Sequence, residues 1–182
     1  MHDAGAGSVL AEEIVRILSS QRKTIVLAES CTGGLAADLI VSVPGASKVF
    51  WGSFVTYTVD AKTKMLAVPE DLIKTHGAVS RPVALAMAEG ALKKSGASLA
   101  FSVTGLAGPE GDGSEVPTGT VWIGIADRNE RAANHEAKTF RFIGSRNEVR
   151  QAAAIAVLDE ILKWIHRSES RKKDIDNGEV LA

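Results

Sequence analysis

Ser30 stands in the run Ala28-Glu29-Ser30-Cys31-Thr32-Gly33-Gly34, where a short apolar stretch gives way to small and hydroxylated residues. A serine hydroxyl attacks an acyl carbon only when a neighbouring group takes its proton. The four histidines, His2, His76, His135 and His166, are scattered along the chain and offer no evident partner. A lysine can act instead if it is neutral, which requires desolvation or a nearby positive charge to lower its pKa from about 10.4 toward 7 to 8. Lys62 is the candidate: it follows a second apolar segment, with Tyr57, the sole tyrosine, five residues before it.

The same residues carry plainer readings. Ser30 has the type and place of a helix N-cap, Lys62 is one of 21 basic residues and suits a solvated surface, and Tyr57 suits strand packing. Cys31 competes as a nucleophile, because a thiolate at a helix N-terminus is activated by a lowered pKa. Gly33 and Gly34 permit close backbone approach to a ligand and open amides for a developing oxyanion, yet they also fit a simple tight turn. The G-x-S-x-G pattern of a nucleophile elbow is absent.

The elements that must position these groups follow from hydrophobic pattern. Val9, Leu10, Ile14, Ile17 and Leu18 fall at helical spacing over residues 8–20. Thr24-Ile25-Val26-Leu27-Ala28 is a continuous apolar run of the kind buried on both faces of a sheet, and a helix over 35–43 follows it, ended by Pro44-Gly45. Ser30 thus lies where a strand hands over to a helix, the place where open α/β sheets put their ligands. Residues 49–58 read as a second strand leading into a short helical stretch with Lys62 and Met65. Ser80 is placed to cap a helix over 82–95 with Gly96 past its end, and residues 99–103 form another buried strand.

Residues 105–119 hold five glycines and two prolines and predict a long loop of the sort that tends to be functional. Residues 120–126 and 137–142 read as strands joined by a polar turn, an antiparallel hairpin added to the sheet. The last helix opens with Ser145-Arg146-Asn147-Glu148, a capping box, and Ala154, Ile155, Leu158, Ile161, Leu162 and Ile165 share one arc of it. From Ser168 onward the chain reads as a polar, mobile tail. The expected architecture is an α/β fold, a three-layer α/β/α sandwich around a mixed, mostly parallel sheet with an added antiparallel hairpin. Residues 1–167 form one domain and 168–182 the tail.

Composition limits the function classes. Lys and Arg number 21 against 22 Asp and Glu, so there is no broadly basic face for nucleic acid. One or two arginines at a helix N-terminus still suffice for a single phosphate. No His, Cys and carboxylate residues occur at metal-ligand spacing, and neither metal nor cofactor is expected. The single cysteine excludes an intrachain disulfide and points to the cytoplasm. The first residues lack a signal-peptide pattern, and no apolar stretch approaches the roughly 20 residues that cross a bilayer. The antiparallel edge and the apolar Trp51 and Trp122 allow a homodimer.

The run Ala28-Glu29-Ser30-Cys31-Thr32-Gly33-Gly34 resembles the opening signature of the CinA C-terminal domain family. Gly52-Ser53-Phe54-Val55-Thr56-Tyr57, Ala61-Lys62, His76-Gly77-Ala78-Val79-Ser80, Thr104-Gly105-Leu106-Ala107-Gly108-Pro109 and Pro117-Thr118-Gly119-Thr120-Val121 follow in family order. The likeness runs from about residue 8 to 167. It implies hydrolysis of the carboxamide of nicotinamide mononucleotide to nicotinic acid mononucleotide and ammonia, by a serine-lysine mechanism without metal. Longer family members carry a nucleotide-hydrolysing N-terminal domain that this sequence has no room for, so pyrophosphatase activity is not inferred.

By the same resemblance the nucleophile falls on Ser30, the lysine on Lys62 and the assisting tyrosine on Tyr57. Substrate contacts fall on Thr32, Gly33, Gly34, Thr104, Gly105 and Arg146, the last as a phosphate ligand. A guanidinium suits phosphate by its bidentate geometry, though Glu148 beside it argues against the assignment and an exposed surface role is the plain alternative. The rival function is a catalytically silent module that binds a phosphorylated pyridine or ADP-ribose-like nucleotide. A third is amidase action on another nucleotide amide.

Overall fold

The computed structural model describes residues 4–111 and 113–178. Five strands form one sheet in the order β2-β1-β3-β4-β5, from β1 (Ile25–Glu29), β2 (Phe50–Val55), β3 (Leu99–Gly105), β4 (Thr120–Asp127) and β5 (Glu136–Arg141). β1 pairs in parallel with β2 and β3, and β4 pairs antiparallel with β3 and β5, so β4 alone runs against the rest. The α/β expectation of a mostly parallel sheet with an antiparallel hairpin added at one edge holds.

Side-chain alternation divides the core into two layers. Ile25, Leu27, Leu99, Phe101 and Val103 point to one face, where they meet α1 (Ala4–Gln21), α2 (Leu35–Val41) and α6 (Arg146–Gly178). Val26, Ala28, Ala100 and Ala126 point to the other and pack on α3 (Val59–Leu66), α4 (Glu70–His76) and α5 (Arg81–Ser95). The smaller alanines on that second face let α5 lie close to the sheet; Gly124 faces the Ala84 carbonyl where a side chain would collide. β1 is buried on both faces at every position, as its unbroken apolar run requires.

Several local expectations need adjustment. In α1 the buried arc is Ala11, Ile14, Val15 and Leu18, at spacings of three and four, which turns Val9 out to solvent at 64% exposure. The segment ending in His76, for which the hydrophobic pattern gave no element, is α4: Glu70 and Asp71 sit in its first turn and Lys74 and His76 in its last, matching the helix dipole. Ser80 occupies the cap position of α5, but its hydroxyl donates to the Gly77 carbonyl and does not cap the helix.

The tail reading also changes. α6 continues past Ser168 to Gly178, because the residues there, polar apart from Ile175, include neither glycine nor proline before Gly178, and surface polarity does not end a helix. Gln21 Nε2 donates to Glu169 Oε1 at 2.6 Å, tying that extension to the end of α1. The capping box at Ser145 is present: the Ser145 amide and hydroxyl donate to Glu148 Oε2 at 2.8 and 2.7 Å. Among the described residues no helix is long and apolar enough to cross a membrane.

Candidate active site

Ser30 follows the last residue of β1, and its amide donates to the Val103 carbonyl of β3 at 2.9 Å, so the sheet ladder fixes its backbone. The chain then turns sharply: the Gly33 amide donates to the Ser30 carbonyl at 3.1 Å, with Gly33 and Gly34 at φ 62° and 102°. Only glycine adopts such angles without strain, and two together swing the chain from strand to α2 in five residues.

Glu29 secures this turn. Its carboxylate is wholly buried and accepts from the amides of Gly34 (2.9 Å), Ala36 (3.2 Å) and Ala37 (3.0 Å) and from the Ser53 hydroxyl (2.9 Å). Three orphan amides at the start of α2 are thus capped by the residue just before Ser30, where the dipole favours a negative charge. The charged residue closing an otherwise apolar strand was the available sequence signal for this role.

Lys62 reaches the same point from the neighbouring strand. The Thr56 amide donates to the Glu29 carbonyl at 2.7 Å, which pins the end of β2 to the end of β1. Thr58 then caps α3 by accepting from the Ala61 amide, and Lys62 in that helix points back beneath the strand ends. Its Nζ lies 2.8 Å from Ser30 Oγ and donates to the Thr56 carbonyl, also at 2.8 Å. The side chain is 2% exposed. Burial pulls its pKa down from 10.5 to about 8, with the neighbouring Cys31 acting weakly in the opposite sense. Neutral Lys62 is therefore far more populated near neutral pH than an exposed lysine would be.

The surroundings of Cys31 disfavour it as the rival nucleophile. Burial pushes its thiol up to about 11, outweighing the local amides and Lys62, which favour the thiolate. At neutral pH the sulfur is a protonated packing group wedged against Gly105, where an added Cβ would stand 3.1 Å from Sγ.

A cleft of about 280 Å³ opens over the dyad, lined by Ser30, Lys62, Tyr57, Thr104, Gly105 and Arg146 among others. Six of the sequence-predicted residues thus converge. Arg146 donates to the Tyr57 hydroxyl and to the Gly108 carbonyl, each at 2.6 Å, and Thr104 donates to the Ala78 carbonyl at 2.9 Å. Tyr57 is accordingly at the cleft rim with Arg146, and Lys62 meets Ser30 directly, with no tyrosine between them. Glu148 is turned onto Ser145.

Thr32, Gly33 and Gly34 lie outside that lining. Thr32 is fully buried, the Gly33 amide is occupied by Ser30, and the Gly34 amide by Glu29. The two glycines therefore shape the turn, and their amides are not open to an oxyanion. Among the described residues no group of three or more His, Cys, Asp or Glu could hold a metal ion.

The family model for the CinA C-terminal domain matches residues 8–165. The chain belongs to this family. It is 43% identical over 164 residues to a CinA-like protein of Geobacter metallireducens and 41% identical over 160 residues to one of Thermotoga maritima. These alignments cover 90% and 88% of the chain but only 38% of each relative, so the chain spans well under half the length of these two relatives. The crystal structure of the competence/damage inducible protein CihA from Agrobacterium tumefaciens superposes with a TM-score of 0.84 at 39% identity, covering 91% of this chain and 99% of that one. A CinA superfamily protein from Escherichia coli superposes at 0.83 with 28% identity, covering 90% and 94%. Within this CinA-type fold, the buried Ser30–Lys62 contact and the cleft above it are the features with chemical potential.

Proposed function

We propose that this CinA-type domain is an amidohydrolase that cleaves the carboxamide of nicotinamide mononucleotide, giving nicotinic acid mononucleotide and ammonia. The observation that carries the reading is the buried 2.8 Å contact between Lys62 Nζ and Ser30 Oγ at the floor of a cleft. A desolvated lysine titrating near pH 8 is a competent base, and a serine within its reach is the matching nucleophile.

Neutral Lys62 takes the Ser30 proton as Oγ bonds to the carboxamide carbon, and the carbonyl electron pair moves onto oxygen. Collapse of the tetrahedral adduct restores the carbonyl and breaks the C–N bond, while Lys62 passes its proton to the departing nitrogen as ammonia. A water molecule, deprotonated by Lys62, then attacks the Ser30 ester and releases the carboxylic acid with Ser30 reprotonated. Both half-reactions use one base, and neither needs a metal ion or a cofactor. At the rim, Arg146 and the Tyr57 hydroxyl supply donors suited to the nucleotide phosphate.

Ammonia release from nicotinamide mononucleotide, with and without chelator, tests the reading. Chelator-resistant release that disappears in Ser30→Ala supports it. Calorimetric binding of the nucleotide without ammonia from the wild type would instead assign a silent nucleotide-binding module. Ammonia from other nucleotide amides alone would relocate the substrate within the same chemistry.

A further inference from the structure

The rung of the sheet at which Ser30 sits is incomplete. The Ser30 amide donates to the Val103 carbonyl at 2.9 Å, and in a parallel ladder the next bond on that edge runs from the Gly105 amide back to the Ser30 carbonyl. That bond is not made. The Ser30 carbonyl accepts instead from the Gly33 amide at 3.1 Å, inside the turn, and the Gly105 amide has no partner among the described residues. The diversion is firmly held. Glu29 caps the amides beyond the turn, and Arg150 of α6 donates from Nε to the Cys31 carbonyl at 3.0 Å and from Nη2 to the Thr32 carbonyl at 2.9 Å.

A second amide is freed two residues later. Leu106 spends both backbone groups on the β4 side: its amide donates to the Thr120 carbonyl at 2.9 Å, and its carbonyl accepts from the Gly119 amide at 2.7 Å. Bonded and non-bonded pairs alternate along an antiparallel ladder, so Gly105, opposite Val121, turns its amide to the other edge of β3. The C=O and N–H of a trans peptide point to opposite sides, so the Ala107 amide turns to that edge too. It also has no partner among the described residues, although Ala107 is only 4% exposed. β1 has already ended on this edge, and the space beyond it is the cleft, which Gly105 and Ala107 line together with Ser30 and Lys62. Close packing explains the glycine: a Cβ at 105 would stand 2.7 Å from Val121 Cγ2, 2.9 Å from the Thr120 carbonyl oxygen and 3.1 Å from Cys31 Sγ. The Gly105 backbone is thus pressed between β4 and the residue that follows Ser30. Unpaired amides in so enclosed a place are costly unless an acceptor comes to them.

We propose that the backbone amides of Gly105 and Ala107 are the oxyanion donors of this site, an inference that rests on the amidohydrolase reading above. As Ser30 Oγ bonds to the carboxamide carbon, the carbonyl electron pair moves onto oxygen, and the two N–H groups donate to that oxygen. When the adduct collapses the pair returns, the C–N bond breaks and the donors are released. Lys62 reaches Ser30 from the β2 side and the amides face it from the β3 side, so proton and oxyanion are handled on opposite flanks of the nucleophile. The oxyanion role that residue type offers to Gly33 and Gly34 passes to β3. Gly33 contributes indirectly, by occupying the carbonyl that would otherwise take the Gly105 amide.

Replacing Gly105 with glycolic acid, or Ala107 with lactic acid, in the full chain turns one peptide bond into an ester and deletes one N–H without altering a side chain. In each ester, kcat for nicotinamide mononucleotide should fall by roughly 100- to 1,000-fold, the scale of losing one oxyanion donor, with KM nearly unchanged. The pH midpoint set by Lys62 should stay in place, because neither amide contacts the lysine. Phosphonylation of Ser30 by a fluorophosphonate, in which the Oγ–P bond forms as fluoride leaves and charge builds on the phosphoryl oxygen, should slow in parallel. That arm separates the two ideas: a wild type that releases no ammonia sinks the amidohydrolase reading, while slowed phosphonylation in the esters still supports the paired donors. Wild-type phosphonylation in both folded esters would overturn the proposal, as would a loss of turnover expressed wholly in KM.

Discussion

Arg146 holds the Tyr57 hydroxyl at 2.6 Å across 89 residues of sequence, joining the first turn of α6 to the end of β2 at the mouth of the cleft. The pair is well separated in role from the dyad beneath it, because Lys62 meets Ser30 without help from the phenol. Arg146→Ala should therefore weaken binding and spare the chemical step. A charged hydrogen bond is worth about 1.5–3 kcal/mol, so KM for nicotinamide mononucleotide should rise roughly 10- to 100-fold with kcat nearly constant. Steady-state kinetics decide it; a fall confined to kcat would move Arg146 into the chemistry.

Ser30→Ala removes the proposed attacking oxygen and nothing that shapes the turn, whose bonds are made by backbone and by Glu29. Turnover should drop by roughly 10⁴-fold or more while calorimetric affinity for the nucleotide stays near wild type. Retention of substantial ammonia release would remove Ser30 as nucleophile.

The pH profile of the wild type reports Lys62. With burial holding the lysine at about 8, kcat/KM should climb as pH rises toward 8 and level off above it. The slope below the midpoint should be about tenfold per pH unit, as for loss of a single proton. A flat profile between pH 6 and about 9 would exclude a lysine base.

The same titration bears on stability. Lys62 has a folded pKa below its unfolded value, so between about 8 and 10.5 the unfolded chain binds more protons and stability must rise with pH through that window. Below it the penalty for the buried charge is fully present, about 3 kcal/mol for a shift of this size. Urea midpoints of the wild type at the two ends of the window, compared with Lys62→Met, should show this rise in the wild type only. Parallel behaviour of the two proteins would show that the lysine is not desolvated.

Glu29→Ala would strand the amides of Gly34, Ala36 and Ala37 in a buried environment. Loss of a multiply bonded buried carboxylate should cost about 3–5 kcal/mol, read from chemical denaturation. A cost under about 1 kcal/mol would mean that water reaches those amides and the turn is looser than its bonds imply.

Much of this arrangement is legible in the sequence because period and polarity report burial. The unbroken run before Glu29 could only be a central strand, and the Ser145–Glu148 box marks where α6 begins. Ser30 and Lys62 were visible as residue types at strand ends, and family blocks singled them out from other serines and lysines. What escaped was information carried by side-chain direction. Val9 matches the helical period loosely, yet the arc is set by Ala11, Ile14 and Leu18. In α4 only Leu72 and Ile73 are apolar between two charged ends, too little to show a period. Glu29 and Arg150 act on backbone amides and carbonyls, and no spacing rule predicts which peptide groups a charge will meet. For the same reason Gly33 and Gly34 looked like open donors when their amides were already occupied.

The thiol beside Ser30 has a practical bearing on how the site meets reactive chemicals. Cys31 lies at the edge of the same cleft, but burial holds its thiol protonated across the range in which Lys62 loses its proton. Soft electrophiles such as iodoacetamide, and oxidants such as peroxide, depend on a thiolate, and a thiol held protonated reacts with them slowly. Hard acylating and phosphonylating agents meet the Ser30 oxygen, which the proposed dyad activates, one residue away. The pocket is thus chemoselective, and a covalent inhibitor directed at it should be designed for oxygen rather than sulfur.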